Sequence, residues 1–215
     1  MKGIIFDLDG TLLYTLSSME KCTNKTLVHF GCEPQPLNAY KYFVGDGIYT
    51  LLDRAFEAAG FPDYPKDEAA EHFKNNFIDD CKYKVKPYDC IIETINALKS
   101  KGIKICCLTN KPHQNAVSCI DEYFGAELFD CIFGQKDGVP KKPDPTGAFE
   151  ICKLLELKTD EVIYIGDSNV DMELGKRAGF FTVGALWGYR TKEELIQFGA
   201  DDLIDKPENI LKYFD

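Results

Sequence analysis

The sequence predicts an α/β fold in which a parallel sheet receives a helical insertion after its first strand. Short apolar runs alternate with segments of helical spacing, which is the pattern of a parallel sheet covered by helices. Several of these runs end at glycine or at polar residues, as buried strands do. The stretch from Tyr14 to Lys84 has helical spacing and no strand-like run, which indicates the insertion.

Five short apolar runs predict the buried strands of the sheet. They cover residues 4–6, 103–108, 130–133, 162–165 and 181–183. Helical spacing lies between them. One example is residues 91–98, where Gly102 follows as a stop signal, and another is residues 148–155, which follow Asp144-Pro145.

The predicted insertion divides the chain into two units. Residues 1–13 and 86–215 are expected to form the α/β core, and residues 14–85 are expected to form an all-helical unit. Apolar residues at 16, 19, 27 and 30, and again between 51 and 59, have helical spacing within this segment. We place the return linker at Val85-Lys86-Pro87, because proline disfavours helix in the residue before it.

Composition excludes several classes of protein. The chain has 215 residues with 25 Lys and Arg against 35 Asp and Glu, a formal net charge of −10, and 45% apolar residues. This mix is typical of a globular domain, and the charge disfavours nucleic acids and anionic membranes as partners. No run has the length of a signal peptide or a membrane span, so we expect a cytoplasmic protein whose nine cysteines are mostly buried thiols.

Polar residues cluster where the predicted strands end, which is where open α/β sheets bind their ligands. Six such residues follow three of the strands: Asp7, Asp9, Thr109, Asn110, Asp167 and Asp171. We therefore expect them to contribute to one site.

Three of these carboxylates would repel one another strongly if they met. At about 4 Å and an effective dielectric constant near 20, each pair of Asp7, Asp167 and Asp171 repels by roughly 4 kcal/mol. Such a cluster needs protons or a cation, and oxygen ligands of this kind suit Mg²⁺. Asp7 has the chemistry of a nucleophile in phosphoryl transfer, and Asp9 that of a general acid and base.

Four segments occur in the order of the motifs of the haloacid dehalogenase superfamily of phosphohydrolases, which they resemble. They read DLDGTL at 7–12, LTNKP at 108–112, KKPDP at 141–145 and GDSNVD at 166–171. The segments VGDG at 44–47, WGYR at 187–190 and GADDLID at 199–205 resemble the phosphoglycolate phosphatase-like branch of that superfamily. Arg190, in the second of these three, is expected at the surface, with a contact to the substrate or the cap as the alternative.

The resemblance implies a Rossmann-like three-layer core with a small helical cap, and a Mg²⁺-dependent phosphatase that forms an aspartyl phosphate. It makes 2-phosphoglycolate the favoured substrate. Asp7 would attack phosphorus, Asp9 would be the acid and base, and Thr109 and Lys142 would hold the phosphoryl oxygens with help from Asn110.

The resemblance also implies the metal ligands. The ligands to Mg²⁺ would be the Asp7 side chain, the Asp9 carbonyl and Asp167, with Asp171 in support. Apart from the resemblance, the glycines Gly45 and Gly47 are expected either to bring the cap loop to the substrate through their backbone amides or to form a turn between two helices.

Several alternatives remain open at this stage. A pyrophosphatase, a broad sugar-phosphate phosphatase and a phosphoglucomutase belong to the same superfamily. A receiver-like regulatory domain also gathers acids, a threonine and a lysine around a phosphorylated aspartate, but it would have about 120 residues and no helical insertion. The only partner expected is a small phosphorylated substrate, and the protein is expected to be a monomer or a homodimer.

Overall fold

The computed structural model describes residues 1–214, apart from the side chain of residue 79. Its strands alternate with helices. The strands are β1 (Gly3–Phe6), β2 (Leu13–Tyr14), β3 (Lys86–Pro87), β4 (Lys104–Pro112), β5 (Cys131–Gln135), β6 (Val162–Gly166), β7 (Phe181–Ala185) and β8 (Asp202–Ile204). The helices are α1 (Leu16–His29), α2 (Leu37–Phe43), α3 (Ile48–Ala58), α4 (Lys66–Asp80), α5 (Ile91–Ser100), α6 (His113–Phe124), α7 (Thr146–Leu154), α8 (Asn169–Ala178) and α9 (Lys192–Gln197). Short 3₁₀ helices cover Ala126–Leu128, Thr159–Glu161 and Pro207–Tyr213.

Six of these strands form one sheet in the order β5-β4-β1-β6-β7-β8. The strands pair in parallel throughout, and β1 lies between β4 and β6, with Ile5 opposite both Cys106 and Tyr164. This confirms the predicted α/β class. The first strand therefore delivers the residue that follows it to the middle of the sheet edge.

The sheet is buried on both of its faces. Because side chains alternate along a strand, Ile5 points to one face of β1 while Ile4 and Phe6 point to the other, and all three are fully buried. Helices α7 and α8 contribute to the core that contains Ile5. Helices α5 and α6 also contact β4, and each presents a buried apolar stripe.

The chain forms two compact units. One comprises Met1–Leu13 and Pro87–Asp215, and the other, Tyr14–Lys86, contains α1 to α4. The core resumes one residue later than the sequence indicated, since Lys86 falls in the helical unit. Where the chain passes between the units, β2 and β3 form a separate two-stranded sheet.

Some element boundaries differ from the sequence prediction. The second predicted strand was expected to end before Thr109, but β4 runs on to Pro112 after an irregularity in its register with β5 between Leu108 and Pro112. The pattern also missed β8, because three residues are too few for an apolar run to be recognised.

Two further observations concern the whole chain. Within the described residues, no helix is both long enough and apolar enough to cross a bilayer. The cysteines are free thiols, and those at 22, 106, 107, 119 and 152 are buried, whereas Cys90 is exposed.

The central strand should be the most sensitive part of the core. We expect Ile5→Ala to lower the free energy of unfolding by about 2–5 kcal/mol, because it opens a cavity where β1 meets α7 and α8. Chemical denaturation measures this. The matched control is Ile196→Ala, at a half-exposed position, which should change stability by less than about 0.5 kcal/mol. Equal losses in the two variants would contradict the assigned core.

Candidate active site

The site lies at the carboxyl end of the sheet and is built around Asp7. This residue directly follows β1, and its backbone N–H donates to the carbonyl of Ile165 in β6 at 2.9 Å. Because β1 is flanked by β4 and β6, the residues after these three strands emerge at the same edge. The strand order thus brings the first and fourth motifs together.

Lys142 joins two of the acids. Its ammonium lies 2.7 Å from Oδ1 of Asp7 and 2.7 Å from Oδ1 of Asp171, and its side chain is almost fully buried. Burial lowers the pKa of Lys142, but the charges of Asp171 and Asp7 together raise it above its ordinary value. The lysine is therefore a permanent cation inside the cluster.

The environment of Asp7 opposes its ionisation. Burial raises the pKa of Asp7 to about 7, the negative charge of Asp171 adds to the increase, and the Lys142 ammonium acts in the opposite direction. A carboxylate in this position gains stability from any further positive charge.

Asp167 is fixed from several sides. Its Oδ1 accepts from the Thr11 hydroxyl at 3.1 Å, and its Oδ2 accepts from the Tyr189 backbone N–H at 2.8 Å. A Cβ at Gly10 or at Gly188 would approach the Asp167 side chain to 2.3 or 2.2 Å, so both positions require glycine. Burial raises the pKa of Asp167 well above its ordinary value, with further contributions from neighbouring acids.

Asp171 is held by hydrogen bonds at both of its oxygens. Oδ2 accepts from the backbone N–H of Ser168 at 3.1 Å and from its hydroxyl at 2.5 Å. Oδ1 accepts from the Tyr164 hydroxyl at 2.9 Å and from Lys142. Gly166 allows the close approach, since a Cβ there would lie 2.3 Å from the Asp171 side chain. These four donors match the acceptor capacity of a carboxylate.

The three acids form a potential metal site. Asp7, Asp167 and Asp171 are all buried, and one ligand oxygen from each lies within 4.8 Å of the others. If all four carboxylates of the site, Asp9 included, were ionised, their charge would exceed that of the Lys142 and Lys111 ammonium groups by two, and Arg190 offsets part of this excess at Asp167. A divalent cation would supply further positive charge there, and an all-oxygen donor set fits a hard ion.

The second motif contributes through its backbone contacts as well as its side chains. The Asn110 amide donates to the carbonyl of Lys142 at 3.1 Å and accepts from its N–H at 2.8 Å, so it fixes the loop that bears this lysine. The Thr109 hydroxyl is buried and accepts from the N–H of Lys111 at 3.2 Å. The substrate-binding role of Asn110 stays a prediction beside this positioning contact.

The other predicted site residues have different surroundings. The Asp9 carboxylate accepts from the Lys111 ammonium at 2.8 Å. Gly45 and Gly47 belong to the helical unit, with φ values of 115° and 87°, and Gly47 directly precedes α3. Their contact with a substrate remains a prediction.

Sequence reasoning missed two polar contributors and misplaced a third. Tyr164 lies within an apolar run that predicts only a strand, yet its hydroxyl contacts both Lys142 and Asp171. Lys111 lies in the second motif, where the resemblance implies no role for it. Arg190, for which the surface was favoured, is buried and donates to Glu194 at 3.1 Å, and its charge acts on Asp167.

The sequence-family model of the haloacid dehalogenase-like hydrolases matches residues 4–185. This range covers most of the chain and includes all four motifs. The chain belongs to this family. Among its relatives, the phosphoglycolate phosphatase of Aquifex aeolicus is 33% identical over 216 aligned positions, which cover 100% of this chain and 97% of that one. The corresponding enzyme of Psychrobacter arcticus is 28% identical and covers 98% and 94%.

Solved structures of the family share the same fold. A protein from Haemophilus somnus, described as a predicted phosphoglycolate phosphatase, superposes with a TM-score of 0.92 at 25% identity, covering 100% of this chain and 98% of that one. The sequence prediction of a haloacid dehalogenase-like hydrolase is confirmed, and with it the prediction that the protein is an enzyme.

The raised pKa of Asp7 predicts how the stability of the metal-free protein depends on pH. The pKa of Asp7 is raised to about 7 in the folded state, so between about pH 4 and 7 the folded protein holds a proton that the unfolded chain has released. The contribution of Asp7 to the free energy of unfolding therefore falls as the pH rises through this window. Asp7→Asn removes this dependence and should raise stability at pH 8 in EDTA by at least about 1 kcal/mol, or about 2–4 °C in Tm.

Thermal unfolding at pH 5 and pH 8 measures the effect. The matched control is Asp63→Asn, at an exposed position, which should keep the wild-type difference between the two pH values. An Asp7→Asn variant that is less stable than the wild type at pH 8 would contradict the predicted repulsion.

The contacts of the Tyr164 hydroxyl in β6 lead to a second prediction. Tyr164→Phe deletes a buried hydroxyl that donates to Asp171 and accepts from Lys142, so the free energy of unfolding should fall by about 1–3 kcal/mol. Urea denaturation measures this. Tyr42→Phe, at a half-exposed ring, is the control and should change stability by less than about 0.5 kcal/mol. Wild-type stability of Tyr164→Phe would show that the hydroxyl is dispensable.

Proposed function

We propose that the protein is a Mg²⁺-dependent phosphatase that hydrolyses a small phosphate monoester through an aspartyl phosphate, with 2-phosphoglycolate as the favoured substrate. The observation that carries this proposal is the placement of Asp7, Asp167 and Asp171 around one point beside the Lys142 ammonium. The names of the Aquifex and Psychrobacter relatives support the choice of substrate.

The donor set fits a magnesium ion. Asp7 and Asp167 would hold it with their side chains and Asp9 with its backbone carbonyl, while Asp171 would support the site through its charge. When bound, the ion supplies positive charge that offsets the charge developing on the transferred phosphoryl group. Oxygen ligands with water in the remaining positions are typical of Mg²⁺ in proteins.

The chain's own residues account for the first half-reaction. An Asp7 oxygen attacks phosphorus, the bond from phosphorus to the ester oxygen breaks, and Asp9 gives its proton to the departing alcohol oxygen. Lys142 and Thr109 hold the phosphoryl oxygens, and Asn110 keeps Lys142 in place through its backbone. Catalysis of phosphoryl transfer consists mostly of this positioning and charge neutralisation.

The second half-reaction restores the enzyme. Asp9 takes a proton from a water molecule, whose oxygen attacks the aspartyl phosphate, and the bond between Asp7 and phosphorus breaks to release inorganic phosphate. A base two residues from the nucleophile favours turnover over a lasting phosphoaspartate. Asp9 and the match to a hydrolase family therefore favour an enzyme over the receiver-like alternative.

The proposal makes one prediction about turnover. Phosphate release should require Mg²⁺, stop on addition of EDTA, and fall by at least about 1,000-fold in Asp7→Asn, because the nucleophile is lost. A panel of 2-phosphoglycolate, pyrophosphate, sugar phosphates, nucleotides and a generic aryl phosphate measures both the activity and the substrate preference.

The control for this panel is Asp63→Asn, which should behave as the wild type. Near-normal turnover of the aryl phosphate by Asp7→Asn would refute the nucleophile. Preference for pyrophosphate would favour the pyrophosphatase alternative, and isomerisation of a sugar phosphate without free phosphate would favour the mutase.

A further inference from the structure

Lys111 is a second buried cation at the site. Its side chain is 1% exposed, and its ammonium lies 2.8 Å from Oδ1 of Asp9. The mechanism described above assigns it no task. An ammonium withdrawn from water is stabilised beside negative charge, so its position next to Asp9 calls for an explanation.

The backbone around Lys111 is fixed. The residue lies within the stretch from Leu108 to Pro112 where the pairing of β4 with β5 is irregular, its N–H donates to the Thr109 hydroxyl at 3.2 Å, and Pro112 ends the strand. The stem of the side chain is buried together with the ammonium. The positive charge is therefore presented from a rigid strand end.

The two buried lysines of the site face different partners. Lys142 contacts Asp7 and Asp171, and under the proposed function it serves the phosphoryl group. Lys111 contacts Asp9, which under the same proposal gives its proton to the leaving alcohol. One cation thus lies on the phosphoryl side of the bond that breaks, and the other on the leaving-group side.

We propose that Lys111 binds a negative charge on the leaving group and so selects phosphate esters whose alcohol carries an anionic group close to the ester oxygen. This inference rests on the proposed function. An acid donates its proton over about 3 Å, so an ammonium 2.8 Å from Oδ1 of Asp9 lies within about 6 Å of the ester oxygen when Oδ1 carries the proton, and within about 8 Å when Oδ2 carries it.

The substrate class follows from that distance. In the phosphate ester of a small 2-hydroxy acid, one carbon separates the ester oxygen from the carboxylate, so the carboxylate reaches the ammonium. An ammonium has three N–H donors and is able to bridge Asp9 and a second anion. A neutral alcohol of the same size gains nothing from this charge.

The test compares two esters of similar size, one with an anionic leaving group and one with a neutral leaving group. We expect Lys111→Met to lower kcat/KM for 2-phosphoglycolate at least tenfold more than for 2-hydroxyethyl phosphate, in which CH₂OH replaces the carboxylate. A tenfold selective loss corresponds to about 1.4 kcal/mol. Lys111→Arg retains the charge and should retain most of the selectivity. Pyrophosphate is included as an anionic leaving group without a carboxylate.

Binding without turnover provides an independent readout. Calorimetry in the presence of Mg²⁺ should show that wild-type protein binds 3-phosphonopropionate more tightly than propylphosphonate, and that Lys111→Met loses this difference. The comparison holds even where the substitution slows catalysis through Asp9, because neither phosphonate is hydrolysed. Circular dichroism and thermal unfolding show whether each variant is folded.

The outcomes separate this inference from the proposed function. Equal loss of kcat/KM for both esters, with an unchanged ratio of phosphonate affinities, would overturn it and leave Lys111 as a residue that only positions Asp9. Wild-type activities in the two variants would overturn it as well. A selective loss with pyrophosphate alone would assign the bound anion to a phosphate. If the wild type hydrolyses no ester of the panel, the phosphatase proposal itself fails.

Discussion

The mutual repulsion of buried carboxylates at the end of the central strand is the constraint on which the rest of the site depends. Asp7, Asp167 and Asp171 lie closer together than isolated charges tolerate in a protein interior. Lys142 offsets part of this repulsion by contacting two of them. The surrounding hydrogen bonds hold the acids in place and leave a net negative charge that favours a cation.

The sheet explains why these particular residues meet. In a parallel sheet, the residues that follow neighbouring strands emerge at one edge, so the order β4-β1-β6 joins the motifs at residues 7–12, 108–112 and 166–171. Two glycines, Gly10 and Gly188, then allow Asp167 to enter a space that any side chain at either position would fill. The strand order and the two glycines therefore determine which acids meet at the site.

Much of this arrangement could be predicted from the sequence. Apolar runs that end in acids identified the strands and the edge at which Asp7, Asp167 and Asp171 meet, because burial and strand direction are both encoded locally. The local pattern does not show which group a polar side chain within an apolar run will contact. Tyr164 has the pattern of a core residue, and only the fold places its hydroxyl against Lys142 and Asp171.

Four hydrogen bonds hold the Asp171 carboxylate, and the Thr11 hydroxyl and the Tyr189 N–H hold that of Asp167, so both carboxylates have little freedom to move outward. An ion of larger radius, such as Ca²⁺, needs six to eight oxygens at about 2.3–2.6 Å, whereas Mg²⁺ accepts an octahedron at about 2.0–2.1 Å completed by water. Ligands that cannot retreat penalise the larger ion. At the proposed magnesium site, the rigidity that confines the negative charge would thus also discriminate between cations by size.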